Sequence, residues 1–136
     1  MRCKCVVLAD QHPAMLEGIR RMLETEAESV LMVADEASLM QAMESVCPDL
    51  VISDISFPAS GATNVVRLLK QRHPGIKVII VSAHDELAVV NEVVKAGAEG
   101  FVLKRRAVVD LIPAIREVCQ GRRFVPMDTP GSDPEP

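Results

Sequence analysis

Aromatic residues are scarce in this chain. They make up 2% of 136 residues, with three Phe and neither Trp nor Tyr. A core built from such a chain is aliphatic, and the aromatic platforms on which single-stranded nucleic acid stacks are excluded. Excess positive charge is also lacking. The formal net charge of −4 argues against broad electrostatic binding to DNA or to a membrane surface. The four cysteines, Cys3, Cys5, Cys47 and Cys119, contain no C-x-x-C pair and are expected to be thiols in a reducing cytosol. Long hydrophobic runs are missing too. The first apolar run, in "MRCKCVVLAD", is too short for a signal peptide or a membrane span, so a cytoplasmic protein is expected, with no membrane partner.

What is present is a hydrophobic fraction of 49%, enough for one sizeable core in one domain. Four short runs, "CVVLA" (5–9), "LVIS" (50–53), "VIIVS" (78–82) and "FVL" (101–103), are nearly continuous rather than alternating. Strands buried on both faces of a parallel sheet read this way. A fifth, "VLMVA" (30–34), fits the same sheet. Between the runs, apolar residues recur at helical spacing over 13–24, 38–46, 63–72, 86–96 and about 110–120. Pro113 can neither donate a helical hydrogen bond nor avoid the carbonyl four residues back, so the last helix is expected to start near Asp110. Five strand–helix units imply a parallel sheet covered on both sides. The segment "PMDTPGSDPEP" (126–136) carries four prolines and three acids. It is expected to be a disordered tail or the start of a linker after a domain over 1–125.

The polar residues fall in a pattern. Asp10 and Gln11 follow the first run, Asp54 the third, Ser82 closes the fourth and Lys104 follows the last. In a parallel sheet these positions share the carboxyl edge, where ligands of open α/β sheets bind. With strand order 2-1-3-4-5, Asp10 and Asp54 face each other. Two adjacent carboxylates repel unless a cation lies between them, and an oxygen donor set favours Mg²⁺ over zinc. A carboxylate nucleophile, a divalent cation, a lysine and a hydroxyl together suit phosphoryl transfer to an aspartate.

The pieces "VVLADQHP" (6–13), "LVISDISFPASG" (50–61), "VIIVSAHDE" (78–86) and "GAEGFVLKRR" (97–106) resemble the receiver domain of bacterial two-component response regulators. The resemblance covers about residues 4–125. It implies a flavodoxin-like α/β fold, a five-stranded parallel sheet of order 2-1-3-4-5 with helices on both faces. It implies Asp54 as phospho-acceptor, Lys104 as the residue contacting the phosphoryl group, Ser82 as switch hydroxyl and Phe101 as its partner aromatic. Asp10, Asp54, the main-chain carbonyl of Ser56 and, at the second acidic position, Gln11 are the implied Mg²⁺ ligands. Implied partners are a sensor histidine kinase and a second copy in a homodimer. "HP" at 12–13 with "LEGIRRML" (16–23) looks most like receivers that precede a LuxR-type helix-turn-helix output domain. DNA contact for transcription control is then expected only through such an output domain, absent from this chain.

The chain departs from the family pattern in two residues. Gln11 stands where an acid is usual, and Arg105 where proline is common. Gln11 favours an alternative, a degenerate or stand-alone receiver that acts as an interaction module with weak metal-dependent phosphorylation. A phosphatase of the haloacid-dehalogenase type would need D-x-D after the first strand, where this chain reads "DQHP". A flavodoxin would need a Ser/Thr/Gly-rich phosphate loop there. The expected role is therefore that of a phospho-acceptor assisting its own phosphorylation, not a classical enzyme.

Overall fold

A computed structural model describes residues 3–10, 13–54, 62–83 and 87–125. Five strands, β1 (Cys3–Ala9), β2 (Ala27–Val33), β3 (Leu50–Asp54), β4 (Lys77–Ser82) and β5 (Gly100–Leu103), alternate with five helices. The helices are α1 (Pro13–Leu23), α2 (Glu36–Ser45), α3 (Ala62–Arg72), α4 (Leu87–Ala96) and α5 (Ala107–Cys119), with one 3₁₀ turn over Lys104–Arg106 before α5. The sheet is parallel throughout, in order β2-β1-β3-β4-β5, the flavodoxin-like arrangement expected. Among the described residues no helix is long and apolar enough to cross a membrane.

The central strands are near-continuous apolar runs because both faces are covered. Every residue of β3, and β4 from Val78 on, is buried. One face packs Leu39, Val65, Val66, Leu69, Val90 and Val93 of α2, α3 and α4 against the sheet. The other packs Ile19 and Leu23 of α1 and Leu111, Ala114, Ile115 and Val118 of α5. At about 25 cal/mol per Å² of apolar surface, this burial is the main favourable contribution to folding.

Three features differ from expectation. First, β2 begins at Ala27, not residue 30. It is an edge strand, and its exposed Glu28 and Ser29 hide its start from a search for apolar runs. Second, α5 begins at Ala107, directly after the 3₁₀ turn, with Pro113 inside it. Ala107 and Leu111 are buried, so core packing holds the first turn in helical form. The carbonyl that Pro113 leaves unpaired belongs to Val109, which is 61% exposed and can turn that carbonyl to water. Third, Cys119 is disulfide-bonded, while Cys5 and Cys47 are free. Spacing alone does not tell which cysteines folding brings within bonding distance.

A further element was not anticipated. After α5 the chain turns at Gly121 (φ 90°) and returns along β5, where Phe124 forms a parallel bridge with Gly100. The Phe124 N–H donates to the Glu99 carbonyl (3.0 Å), and the Phe101 N–H donates to the Phe124 carbonyl (2.8 Å). Phe124 packs on the α5 face of the sheet and Val125 on the opposite face, the alternation of a strand.

Glu99 ties this region to the rest of the fold. Its Oε1 accepts from the Val78 N–H (2.9 Å) and its Oε2 pairs with Lys70 Nζ (2.5 Å), which also donates to the Ile76 carbonyl (2.6 Å).

Candidate functional site

Register brings the polar strand ends together. Ala9 of β1 is opposite Ser53 of β3, so the next residues along, Asp10 and Asp54, occupy adjoining strand ends. Asp10 is held there by its N–H, which donates to the Val33 carbonyl of β2 (3.1 Å). On the far side of β3, Ser82 ends β4 and is opposite Leu103, and Lys104 follows as the first residue of the 3₁₀ turn. Asp10 is 5% exposed, Asp54 3% and Ser82 fully buried. Two carboxylates and a hydroxyl at such depth mark a polar pocket in an otherwise aliphatic sheet, since buried charge is costly unless paired.

Lys104 supplies one pairing. Its Nζ is 3.0 Å from Asp54 Oδ1, and its side chain keeps about a fifth of its surface exposed. At that distance the two groups form an ion pair.

Phe101, the aromatic assigned to the switch, is fully buried in the layer shared with α3 and α4. It lies two residues before Leu103, hence on the same face of β5. Gln11 and Ser56, the other two implied metal ligands, lie outside the described residues, as do His12 and His84. His73, at the end of α3, stands 3.6 Å from Glu44 Oε2, away from the strand ends.

The donor chemistry fits Mg²⁺: two buried carboxylates at adjoining strand ends give hard oxygen ligands. Among the described residues no cluster of three or more His, Cys, Asp or Glu forms a metal site.

The family model for the response regulator receiver domain matches residues 6–116. The chain belongs to the response regulator receiver family. This receiver is 34% identical over 122 residues to the transcriptional regulatory protein DegU of Brevibacillus brevis, an alignment covering 88% of this chain and 52% of that protein. It thus spans about half the length of the curated relatives it matches. Among solved structures, the RcsB response regulator of Salmonella typhimurium superposes with a TM-score of 0.85 at 27% identity, over 93% of this chain and 65% of that one. A LuxR-family two-component response regulator from Aurantimonas superposes with a TM-score of 0.84 at 28% identity, over 91% of this chain and 89% of that one.

Reading the receiver from its sequence missed the pairing of Phe124 with β5 and the Arg106–Asp110 ion pair (2.9 Å). For Phe124, the signal was an apolar pair, Phe124 and Val125, just after a helix-ending glycine. Two residues are too few to stand out as a strand.

Proposed function

We propose that this receiver takes a phosphoryl group onto Asp54 from the phosphohistidine of a sensor kinase, and that the change it undergoes controls transcription through an output domain. The observation that carries this reading is the 3.0 Å approach of Lys104 Nζ to Asp54 Oδ1 beside a second buried carboxylate, Asp10.

In this reading an Asp54 carboxylate oxygen attacks phosphorus, the P–N bond to the kinase imidazole breaks, and the imidazole leaves with the bond's electron pair. The product is an acyl phosphate on Asp54. Lys104 neutralises a phosphoryl oxygen, which lowers the cost of bringing a dianion to a carboxylate. The Ser82 hydroxyl donates to another phosphoryl oxygen, and Phe101 repacks with that movement. Asp10, Asp54, the Ser56 carbonyl and Gln11 would hold Mg²⁺, which would supply positive charge to the phosphoryl oxygens.

The functional domain in this reading covers residues 1–125, works in the cytoplasm, and forms a homodimer. The exposed apolar side chains of Val108 (83%) and Val109 (61%) on α5 support a helix-face contact, with helix 1 and helix 5 or the α4–β5–α5 face as candidates. Contact with DNA belongs to the output domain.

The test is phosphorylation by a small-molecule phosphoryl donor with Mg²⁺, followed by intact mass. The wild-type chain is expected to gain one hydroxylamine-sensitive phosphoryl group and Asp54→Asn none, because an amide is a far poorer nucleophile. Labile phosphate on the Asp54→Asn protein would overturn the assignment.

A further inference from the structure

Four polar or charged side chains are buried among the described residues: Asp10, Ser53, Asp54 and Ser82. Three of them make up the pocket at the strand ends. The fourth, Ser53, is 1% exposed and lies on the apolar face turned to α2, α3 and α4. Val51, two residues back on that face, belongs to this layer, as do Ala9 of β1 and Ile80 of β4, the residues opposite Ser53 in register. A hydroxyl in such a layer is costly unless it is hydrogen-bonded, and a valine would suit the strand better.

The bond that Ser53 makes leads to the pocket. Its Oγ donates to the main-chain carbonyl of Asp54 (3.2 Å). The ladder fixes where that carbonyl points. The Asp10 N–H donates to the Val33 carbonyl, so the backbone of Asp10 faces β2 and that of Ala9 faces β3. With Ala9 paired to Ser53, a parallel ladder puts the Asp54 N–H on the Ala9 carbonyl and turns the Asp54 backbone toward β1. The Asp54 carbonyl therefore points to the side on which Asp10 ends the neighbouring strand.

We infer that Ser53 is a positioning residue for the modification of Asp54, its hydroxyl tying down the Asp54 carbonyl from the opposite face of the sheet. A residue has two soft backbone torsions. The ladder to β1 holds the one before the Asp54 Cα, and the Ser53 hydroxyl holds the one after it. The carboxylate then keeps its heading toward Lys104 Nζ, 3.0 Å away, and group transfer depends on such a fixed start. The inference rests on the reading of Asp54 as phospho-acceptor. At 3.2 Å the bond is long for a hydroxyl donor, so a moderate effect is expected.

Threonine and valine share a shape and differ by a hydroxyl. Ser53→Thr and Ser53→Val therefore compare the protein with and without the donor at constant volume, and any packing cost is common to both. The first readout is the ¹³C resonance of the Asp54 backbone carbonyl in chelator-treated protein, which needs neither metal nor phosphoryl group. It is expected near the wild-type position in Ser53→Thr and upfield of it in Ser53→Val. The second is the rate of phosphoryl uptake from a small-molecule donor with Mg²⁺, taken across donor concentrations. The maximal rate of Ser53→Val is expected to be about three- to tenfold below that of Ser53→Thr, the factor one net hydrogen bond supplies, at an unchanged half-saturating donor concentration. A purely structural role would lower the urea midpoints of both variants alike and leave their rates equal. Equal maximal rates, or a carbonyl resonance that is the same in both variants, would overturn the inference while the wild type still takes up phosphate. A wild type that takes up none would instead overturn the reading of Asp54, and the inference with it. If the added methyl prevents folding, Ser53→Ala against the wild type gives the same comparison with no added volume, and the same rate ratio is expected.

Discussion

Removing Lys104 separates two accounts of the Asp54 contact: an energetic pair, or a surface lysine that happens to lie near. At 3.0 Å and an effective dielectric near 20, two unit charges attract by about 5–6 kcal/mol before desolvation is counted. Desolvation offsets much of this, yet losing one member of a buried pair still costs about 3–5 kcal/mol, because the other charge stays buried. Lys104 keeps a fifth of its side chain in solvent, so the expected loss for Lys104→Ala is somewhat smaller, about 2–4 kcal/mol. The reverse deletion is not symmetrical. In Asp54→Asn the ammonium can turn to water, and one of two neighbouring carboxylates has gone, so the change should stay within about 1 kcal/mol. In the double variant the charge stranded by Lys104→Ala is absent, and most of the loss should be recovered. Urea unfolding followed by far-UV circular dichroism, in chelator-treated buffer, measures all four proteins as a cycle. Strict additivity in the double would show that the contact carries no net energy.

Three other outcomes are expected. A methyl group at Gly100 would meet Ile79 Cγ1 at 2.9 Å and Val118 Cγ2 at 3.3 Å, so Gly100→Ala should lower unfolding free energy by about 1–3 kcal/mol; an unchanged urea midpoint would contradict this. Asp35 caps α2 by accepting from the Ser38 N–H (2.7 Å), and this bond, with the Ser38 hydroxyl, holds its carboxyl below the ordinary value. The cap's contribution is therefore full above the ordinary carboxylate range and is lost as pH falls through the lowered value. The stability gap between wild type and Asp35→Ala should accordingly narrow on acidification, and a gap that widens would refute the cap's role. Finally, Gln11→Asp should tighten Mg²⁺ binding in an NMR titration by adding a charged oxygen ligand; equal affinity in both proteins would show that the neutral ligand suffices.

The sheet was legible because its central strands are buried on both faces, which forces runs such as "VIIVS" at 78–82 to be apolar throughout. The strand ends were legible for the opposite reason: Asp10, Asp54, Ser82 and Lys104 are polar where packing gives no cause for polarity. Where burial is one-sided, the signal fades. Glu28 and Ser29 of edge strand β2 look like loop, and Phe124 makes too short a pairing to register. The start of α5 depended on Ala107 and Leu111 packing into the core, a tertiary term that outweighed the local penalty of Pro113. The Cys119 disulfide depends on through-space proximity that spacing does not encode.

The two described phenylalanines are also useful to an experimentalist. With no Trp or Tyr, the domain has almost no intrinsic fluorescence to follow. Phe101 and Phe124, however, belong to opposite layers of the sheet. Their ring resonances form a two-channel spectroscopic reporter, in which repacking under α3 and α4 and repacking under α1 and α5 are read separately from one unlabelled side-chain type.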